Sequence, residues 1–488
     1  MQNIDKYYLG IDLGTSSIKV SISDYKGKIL LSESESYPLL MPNENWTEQN
    51  PDDWYNALIN VLKRLNKEVD LSKVASLSFC GQMHGLVVLD ENDKVIRPAI
   101  LWNDSRTVKE VDYLNNVIGV NKLIEYTSNI ALCGFTAPKI LWLRKNEPEN
   151  FEKINKIMLP KDYLAYKISG VFASDVSDLS GTLFFDVKNN VYSIKMLEIL
   201  GINLSQLPVI YNSYDVIGNV SDEFAKLSGL SNKTKVVIGG GDQAVGAIGT
   251  ATISNDDLFI SLGTSGVVFS SIDNYAYDKL GRIHSFRHAN GKFLLMGCTL
   301  SCAGSLNWWF KDVLNIKNYD DEFENVDINN MNDILFLPYL MGERSPINDP
   351  NAKGMFANLN AIYKRGDMTK AVIEGISYSL YDVFSIMKDL NLDFKEARVI
   401  GGGSRNKKWM QLLADIFGIK IKTISTSDGA ALGAIILAMY GDKQYKYLKE
   451  ACDELVHDKD IYIPNLKNHI IYQKKFEQYR QLYLKNKN

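Results

Sequence analysis

Gly10-Ile11-Asp12-Leu13-Gly14-Thr15-Ser16-Ser17-Ile18-Lys19-Val20 has the pattern of a β-hairpin. Tyr7 to Asp12 reads as one strand, Gly14 to Ser17 as a polar turn, and Ile18 to Ser23 as the return strand. A second turn, Asp24-Tyr25-Lys26-Gly27, leads into a third strand, Lys28 to Glu35. The tip of the first hairpin has the makings of an anion site. Gly14 lets backbone approach a phosphate closely, Thr15, Ser16 and Ser17 can donate to phosphate oxygens, and Lys19 adds positive charge. Asp12, at the strand end, suits Mg²⁺ held through water, because Mg²⁺ gives up its hydration shell reluctantly. Taken alone, the segment is equally an ordinary hairpin turn.

A second copy shifts that balance. Leu13-Gly14-Thr15-Ser16 recurs as Leu262-Gly263-Thr264-Ser265, again between two strand-like runs, Leu258 to Leu262 and Val267 to Ser271. Two related halves facing one ligand are expected. Ser261 stands where the first copy has Asp12, so one half brings the metal acid and the other only donors. Around these copies strands and helices alternate, which is the pattern of an α/β protein. Asn50 caps a helix with Pro51 at its first position, Asp52 and Asp53 in its first turn, and Trp54, Leu58, Leu62 and Leu65 on its apolar face. Val74 to Phe79 is a strand. Farther on, Asp367 to Leu390 is a helix, Ala397 to Ile400 a strand, and a helix carrying Trp409, Leu412, Leu413 and Ile416 stops at Gly418. Asp428 to Tyr440 is a helix with an acidic start. The domains are placed at 1–250 and 251–488, with the boundary near Gly249 to Asn255.

No Walker A loop is present, and no Gly-x-Gly-x-x-Gly opens a helix after a strand. A different strand end draws attention: Gly239-Gly240-Gly241-Asp242-Gln243, after the run Lys235 to Ile238. An acid behind three glycines can reach a bound substrate without crowding it, so Asp242 is the candidate general base, a role worth roughly 10²–10⁴-fold in rate. A turn-forming Asp is the plain alternative. Gln82-Met83-His84-Gly85 also ends a strand, where His84 could bond sugar hydroxyls or be merely structural. Trp102-Asn103-Asp104-Ser105-Arg106 has the composition of a polyol site; its plain alternative is a surface salt bridge between Asp104 and Arg106.

Bulk properties narrow the rest. The chain has 488 residues, 45% hydrophobic and 23% charged, with net charge −4, a globular balance with no basic footprint for nucleic acid. No apolar run reaches the ~20 residues needed to cross a bilayer, and the start of the chain lacks the pattern of a signal peptide, so a cytoplasmic protein is expected. Five cysteines at loose spacing argue against a disulfide framework. Cys298 and Cys302, expected one helical turn apart, read as buried thiols rather than metal ligands. The Lys-rich end, Lys474 to Lys487, reads as an amphipathic helix with a solvated face.

With these motifs in order, the chain resembles the FGGY carbohydrate kinases and, among them, the xylulokinases. The resemblance spans nearly the whole chain. It includes Gly10 to Ser16, Trp46-Thr47-Glu48-Gln49, Gly81 to Gly85, Leu101 to Arg106, Gly134 to Lys139, Leu159 to Leu164 and Ser174 to Asp178. In the second half it includes Gly239 to Gln243, Ser261 to Gly266, Leu337 to Leu340 with Gly342-Glu343-Arg344, and Gly401 to Asn406. It implies a two-domain α/β fold of the actin, Hsp70 and hexokinase (ribonuclease H-like) type, with the site in the interdomain cleft. It implies ATP-dependent phosphorylation of D-xylulose to D-xylulose 5-phosphate in pentose catabolism, with Mg²⁺. Asp12 then looks like the acid serving Mg²⁺ and Asp242 like the base. Met83, His84, Asp104, Asp242 and Gln243 fall at the sugar. Thr15, Ser16, Ser17, Lys19 and Thr264 fall at the ATP phosphates, and Gly304, Gly402 and Asn406 at the rest of the nucleotide. Two positions depart from the family pattern: Ser105 precedes Arg106 where many relatives have Gly, and Gln243 stands where relatives often have Asn. The partners expected are the sugar and ATP, with no nucleic acid and no membrane, and a homodimer is admitted. A kinase for ribulose, gluconate or a deoxy-ketose is the alternative. A silent ATP-binding sensor is disfavoured because both Asp12 and Asp242 are present.

Overall fold

The structure is a computed structural model and describes residues 6–425 and 428–487. The described residues fall into two compact units. One is drawn from Met1–Ile253, Ser285–Phe293 and Asp428–Val456, the other from Ser254–His284, Leu294–Ser427 and His457–Asn488.

The first unit is built on a six-stranded sheet ordered Val216–Asn219, Lys235–Gly241, Val74–Gly81, Tyr7–Leu13, Ser17–Ser23, Ile29–Ser36. The expected hairpin is there: Tyr7–Leu13 pairs antiparallel with Ser17–Ser23, which pairs with Ile29–Ser36. Toward the other edge Tyr7–Leu13 pairs parallel with Val74–Gly81, and that strand pairs parallel with Lys235–Gly241. Parallel neighbours need covered faces, and their sequences are largely apolar. Leu9, Ile11, Leu77, Phe79, Val236 and Ile238 are buried there. Helix Pro51–Glu68 covers the sheet with Trp54, Leu58, Leu62 and Leu65, and Asn50 caps it by accepting from Asp52 N at 3.2 Å. Helix Gly429–Gly441 packs against the Tyr7–Leu13 and Val74–Gly81 strands and against helix Asp242–Gly249. That helix pair meets backbone to backbone. A Cβ on Gly249 would lie 1.8 Å from the Gly429 carbonyl oxygen, and one on Gly433 would lie 1.9 Å from that of Val245.

The second unit carries a seven-stranded sheet ordered His284–Arg287, Phe293–Thr299, Gly266–Ile272, Asp257–Leu262, Glu396–Ile400, Lys420–Ile424, Asp458–Tyr462. Its centre repeats the first: a hairpin, Asp257–Leu262 with Gly266–Ile272, whose first strand pairs parallel with Glu396–Ile400. Helix Arg365–Asp389 is buried along most of its length, and helix Lys407–Phe417 ends at Gly418 in a left-handed cap.

Three expectations change. Cys298 lies in the Phe293–Thr299 strand while Cys302 caps helix Ala303–Asn307, so the two do not share a helical turn; none of the five cysteines is joined in a disulfide. The strand expected over Lys235 to Ile238 continues through Gly241, so Asp242 does follow a strand end, and there it opens a helix and is not a turn residue. The C-terminal helix, Leu466–Asn486, is not simply solvated on its basic side, because Lys475 is buried and pairs with Glu374 at 2.5 Å. Among the described residues no helix is long and apolar enough to cross a membrane.

Candidate active site

Three parallel strand ends of the first unit form a floor. Asp12 stands opposite Cys80 in register, and Cys80 opposite Gly240, so Asp12 and the segment leading to Asp242 flank the Val74–Gly81 strand at the same end. Asp242 is the first residue of its helix, and its Oδ1 accepts from Gln243 N at 2.8 Å. Burial, and then the carboxylates of Asp242 and Asp428, push Asp12 up to about 7, against the Cys80 thiol and Lys19. Burial pushes Asp242 up to about 6, against the bonds it receives from Gln243. These are acids held close to neutrality beside one another, an arrangement that favours a proton or a cation.

The three glycines before Asp242 have separate reasons. Gly239 has φ +69°, and a Cβ there would lie 2.0 Å from the Phe79 carbonyl oxygen. A Cβ on Gly240 would meet Ser177 Oγ at 2.5 Å, and one on Gly241 would meet Met83 at 2.8 Å. Met83 therefore lies directly against the residue before the candidate base.

The hairpin tip is braced from elsewhere in the sequence. Thr15 Oγ1 accepts from Trp102 Nε1 at 2.9 Å and donates to Gln82 Oε1 at 3.3 Å. Gln49 Nε2 donates to the Thr15 carbonyl at 2.7 Å, and Tyr37 donates to that of Gly14. Thr15 is thus committed to the protein, while Ser16 is exposed and Ser17 half-buried. Lys19 pairs with Asp428, which also caps helix Gly429–Gly441 by accepting from Ala431 N at 3.0 Å. Asp428 was foreseen only as a helix start; nothing in its local sequence shows that it faces Asp12.

Around the candidate sugar residues, His84 takes φ +69°, its Nδ1 bonds the Gly181 carbonyl at 2.8 Å, and its ring lies 4.8 Å from that of Phe135. The His84 carbonyl accepts from Lys139 Nζ at 2.8 Å, and burial brings that lysine down to about 7. In the sequence Lys139 belongs only to the Gly134–Lys139 stretch, and its place among the apolar residues Ala137, Pro138, Ile140 and Leu141 is the local signal. Asp104 is buried, not on the surface. Its oxygens accept from Arg106 N, Arg106 Nε, Arg106 Nη2 and Thr47 N at 2.7–2.9 Å. Arg106 stacks on Trp46 at 3.9 Å. This network orders the Trp102–Arg106 loop, and a direct sugar bond would have to share oxygens already in use.

In the second unit the Thr264 turn is clamped by the start of helix Ala303–Asn307. Cys302 N and Gly304 N both donate to the Thr264 carbonyl at 3.1 Å, and a Cβ on Gly304 would crowd that oxygen at 3.0 Å. A cavity of about 470 Å³ opens at the ends of Glu396–Ile400 and Lys420–Ile424, lined by Gly401, Gly402, Ser404, Arg405, Thr423 and Asp460 among others. Gly402 has open space where a Cβ would stand. Asn406 caps helix Lys407–Phe417 by accepting from Trp409 N at 3.0 Å.

Among the described residues no group of three His, Cys, Asp or Glu side chains is arranged to hold a metal ion by itself. Asp12, with Asp242 and Asp428 nearby, offers oxygen donors only. That donor chemistry fits Mg²⁺ carrying most of its own water, and no softer ion.

The sequence model of the FGGY family of carbohydrate kinases, N-terminal domain, matches residues 7–249, and that of its C-terminal domain matches residues 258–441. The chain is 39% identical to a xylulose kinase from Lactococcus lactis subsp. lactis over 98% of its own length and 96% of the relative's. It is 36% identical to a xylulose kinase from Staphylococcus xylosus over 98% and 99%. A crystal structure of a "xyloylose kinase" from Brucella ovis superposes with TM-score 0.92 at 30% identity, covering 98% of this chain and 99% of that one.

Proposed function

This chain belongs to the FGGY family of carbohydrate kinases, and from that premise we propose that it moves the γ-phosphoryl group of MgATP onto the terminal hydroxyl of D-xylulose, giving D-xylulose 5-phosphate. The observation that carries this reading is the floor of the first unit. There Asp12 and the helix opened by Asp242 share one end of the sheet, with Met83 packed on Gly241 and His84 next to it. Relatives named xylulose kinase over nearly the full length support the choice of sugar. So does the charge at the strand ends: Asp12, Asp242 and Asp428 stand there with Lys19, which is paired to Asp428. A neutral ketose suits that surface, whereas gluconate would bring a like charge.

Met83, His84 and Gln243 are assigned to the sugar, with Asp104 as the residue that sets the Trp102–Arg106 loop. Ser16, Ser17 and Thr264 are assigned to the ATP phosphates, with Thr15 and Lys19 shaping the first turn. Gly304, Gly402 and Asn406 are assigned to the remainder of the nucleotide. Bound Mg²⁺ would supply charge neutralisation along the phosphates, with Asp12 holding it through water. Asp242 aligns the terminal hydroxyl and accepts its proton as the new O–P bond forms and ADP leaves. Its carboxyl, raised by burial to about 6, is ionised at neutral pH yet basic enough to take that proton. Dependence on ATP assigns the chain to the cytoplasm.

A panel of D-xylulose, D-ribulose, gluconate and a deoxy-ketose, read by coupled ADP detection, tests the proposal. D-Xylulose is expected to give the highest kcat/KM by ~10-fold or more. A higher value on another sugar overturns the substrate, and no sugar-dependent ADP release overturns the catalytic reading.

A further inference from the structure

Behind the Gly239–Gly241 run lies a buried charged cluster that the transfer step does not use. Lys161 Nζ is 2.5 Å from Asp162 Oδ1 and 2.9 Å from Asp175 Oδ1. Asp175 Oδ2 accepts from Ser177 N at 2.8 Å, Ser177 Oγ at 2.5 Å and Ser213 Oγ at 2.6 Å. Lys161, Asp175, Ser177 and Ser213 are each 0–1% exposed. Buried charges are a poor source of net stability compared with apolar packing of the same volume, so a cluster of this kind calls for another reason.

That reason lies in the hydroxyl of Ser177. Its single proton goes to Asp175, which leaves its lone pairs to accept, and one of them accepts from Gly241 N at 3.2 Å. Gly241 is the cap from which the helix opened by Asp242 starts. The bare backbone of Gly240 admits this contact, since a Cβ there would lie 2.5 Å from Ser177 Oγ. We propose that Ser177 is a positioning residue for Asp242: anchored by Asp175 and Lys161, it fixes the peptide from which the base projects. The proposal rests on Asp242 being the base.

Ser213 supplies the control: its hydroxyl donates to the same Asp175 oxygen and lies 3.4 Å from Ser177 Oγ, but the bond to Gly241 N is made by Ser177 alone of the two. In the full-length enzyme S177A is expected to lower kcat by ~10–100-fold, the scale of a small misplacement of a reacting group. KM for sugar and for ATP should stay within ~3-fold. S213A should keep kcat within ~3-fold, and S177T, which retains the hydroxyl, should return kcat to within ~3-fold of the parent. If S177A is not recovered folded, S177C decides by the same criterion, since it fills the volume with a poor acceptor. Equal loss in S177A and S213A, a kcat within 2-fold in S177A, or failure of S177T to restore would overturn the proposal. D242A, measured alongside, separates the two readings. If it keeps turnover, the base assignment falls; if it collapses while S177A does not, only the role of Ser177 falls.

Discussion

Single residues divide by whether their partners are near in sequence. Asp12, Asp242 and His84 are visible because each lies within three residues of a strand end and within two of a glycine, a local pattern. The partners that define Thr15, Lys19 and Asp104 are not, because Trp102, Asp428 and Thr47 come from distant segments and no local spacing announces them. Two substitutions test this scale. D242N keeps the shape and removes the proton acceptor, so kcat should fall ~10²–10⁴-fold while sugar affinity, measured by equilibrium binding, changes only a few-fold. A loss under ~10-fold would remove Asp242 from the chemistry. H84A should raise KM for the sugar by ~10-fold or more with a smaller effect on kcat; an unchanged KM would show that the ring serves only its contacts with Gly181 and Phe135.

Whole elements were legible where capping and periodicity agree. Asn50 before Pro51, and Gly418 after Phe417, bound their helices as the spacing predicts. Elements are hardest to bound at glycine runs. Gly239 to Gly241 continue a strand because a parallel neighbour and a close-packed cluster demand bare backbone, and glycine composition cannot separate that demand from a loop's. The same ambiguity makes a prediction within one helix. In Asp242–Gly249, a Cβ on Gly246 would meet nothing within 4 Å, whereas one on Gly249 would lie 1.8 Å from the Gly429 carbonyl. Gly246→Ala should be neutral or stabilise by up to ~1 kcal/mol, through helix propensity. Gly249→Ala should destabilise by about 1–3 kcal/mol or more, because the contact is with backbone and one helix must shift. Urea unfolding of both variants checks the pair; equal effects would mean that the two helices do not meet through these glycines.

At the scale of the molecule, the two related hairpins were legible, but the return of Asp428–Val456 to the first unit was not. Helical periodicity states which face is apolar and not which sheet it will cover. That return brings Asp428 to Asp12, where its carboxylate adds to burial and to Asp242 in raising Asp12. The cost has a pH signature. Asp242 rises from 3.8 to about 6 on folding, through burial. An acid raised in the native state binds its proton more tightly there, so its penalty is absent below the unfolded value and complete above the folded one. The parent should therefore lose stability relative to D242N as pH rises from ~4 to ~6, and the gap should then level off. Allowing for solvent that still reaches this half-buried side chain, the change in gap should be about 1–3 kcal/mol. In the second unit Glu343, raised by burial from 4.5 to about 7, predicts the same course for E343Q with its upper end near neutrality. Urea midpoints of the parent and both variants, taken at half-unit steps from pH 4.5 to 8, measure it. The same titration limits activity: kcat/KM should fall toward tenfold per unit below about pH 6, as the base acquires its proton. A gap between parent and D242N that stays constant with pH would mean that Asp242 folds with an ordinary carboxyl, and the acid limb of activity would then belong to another group.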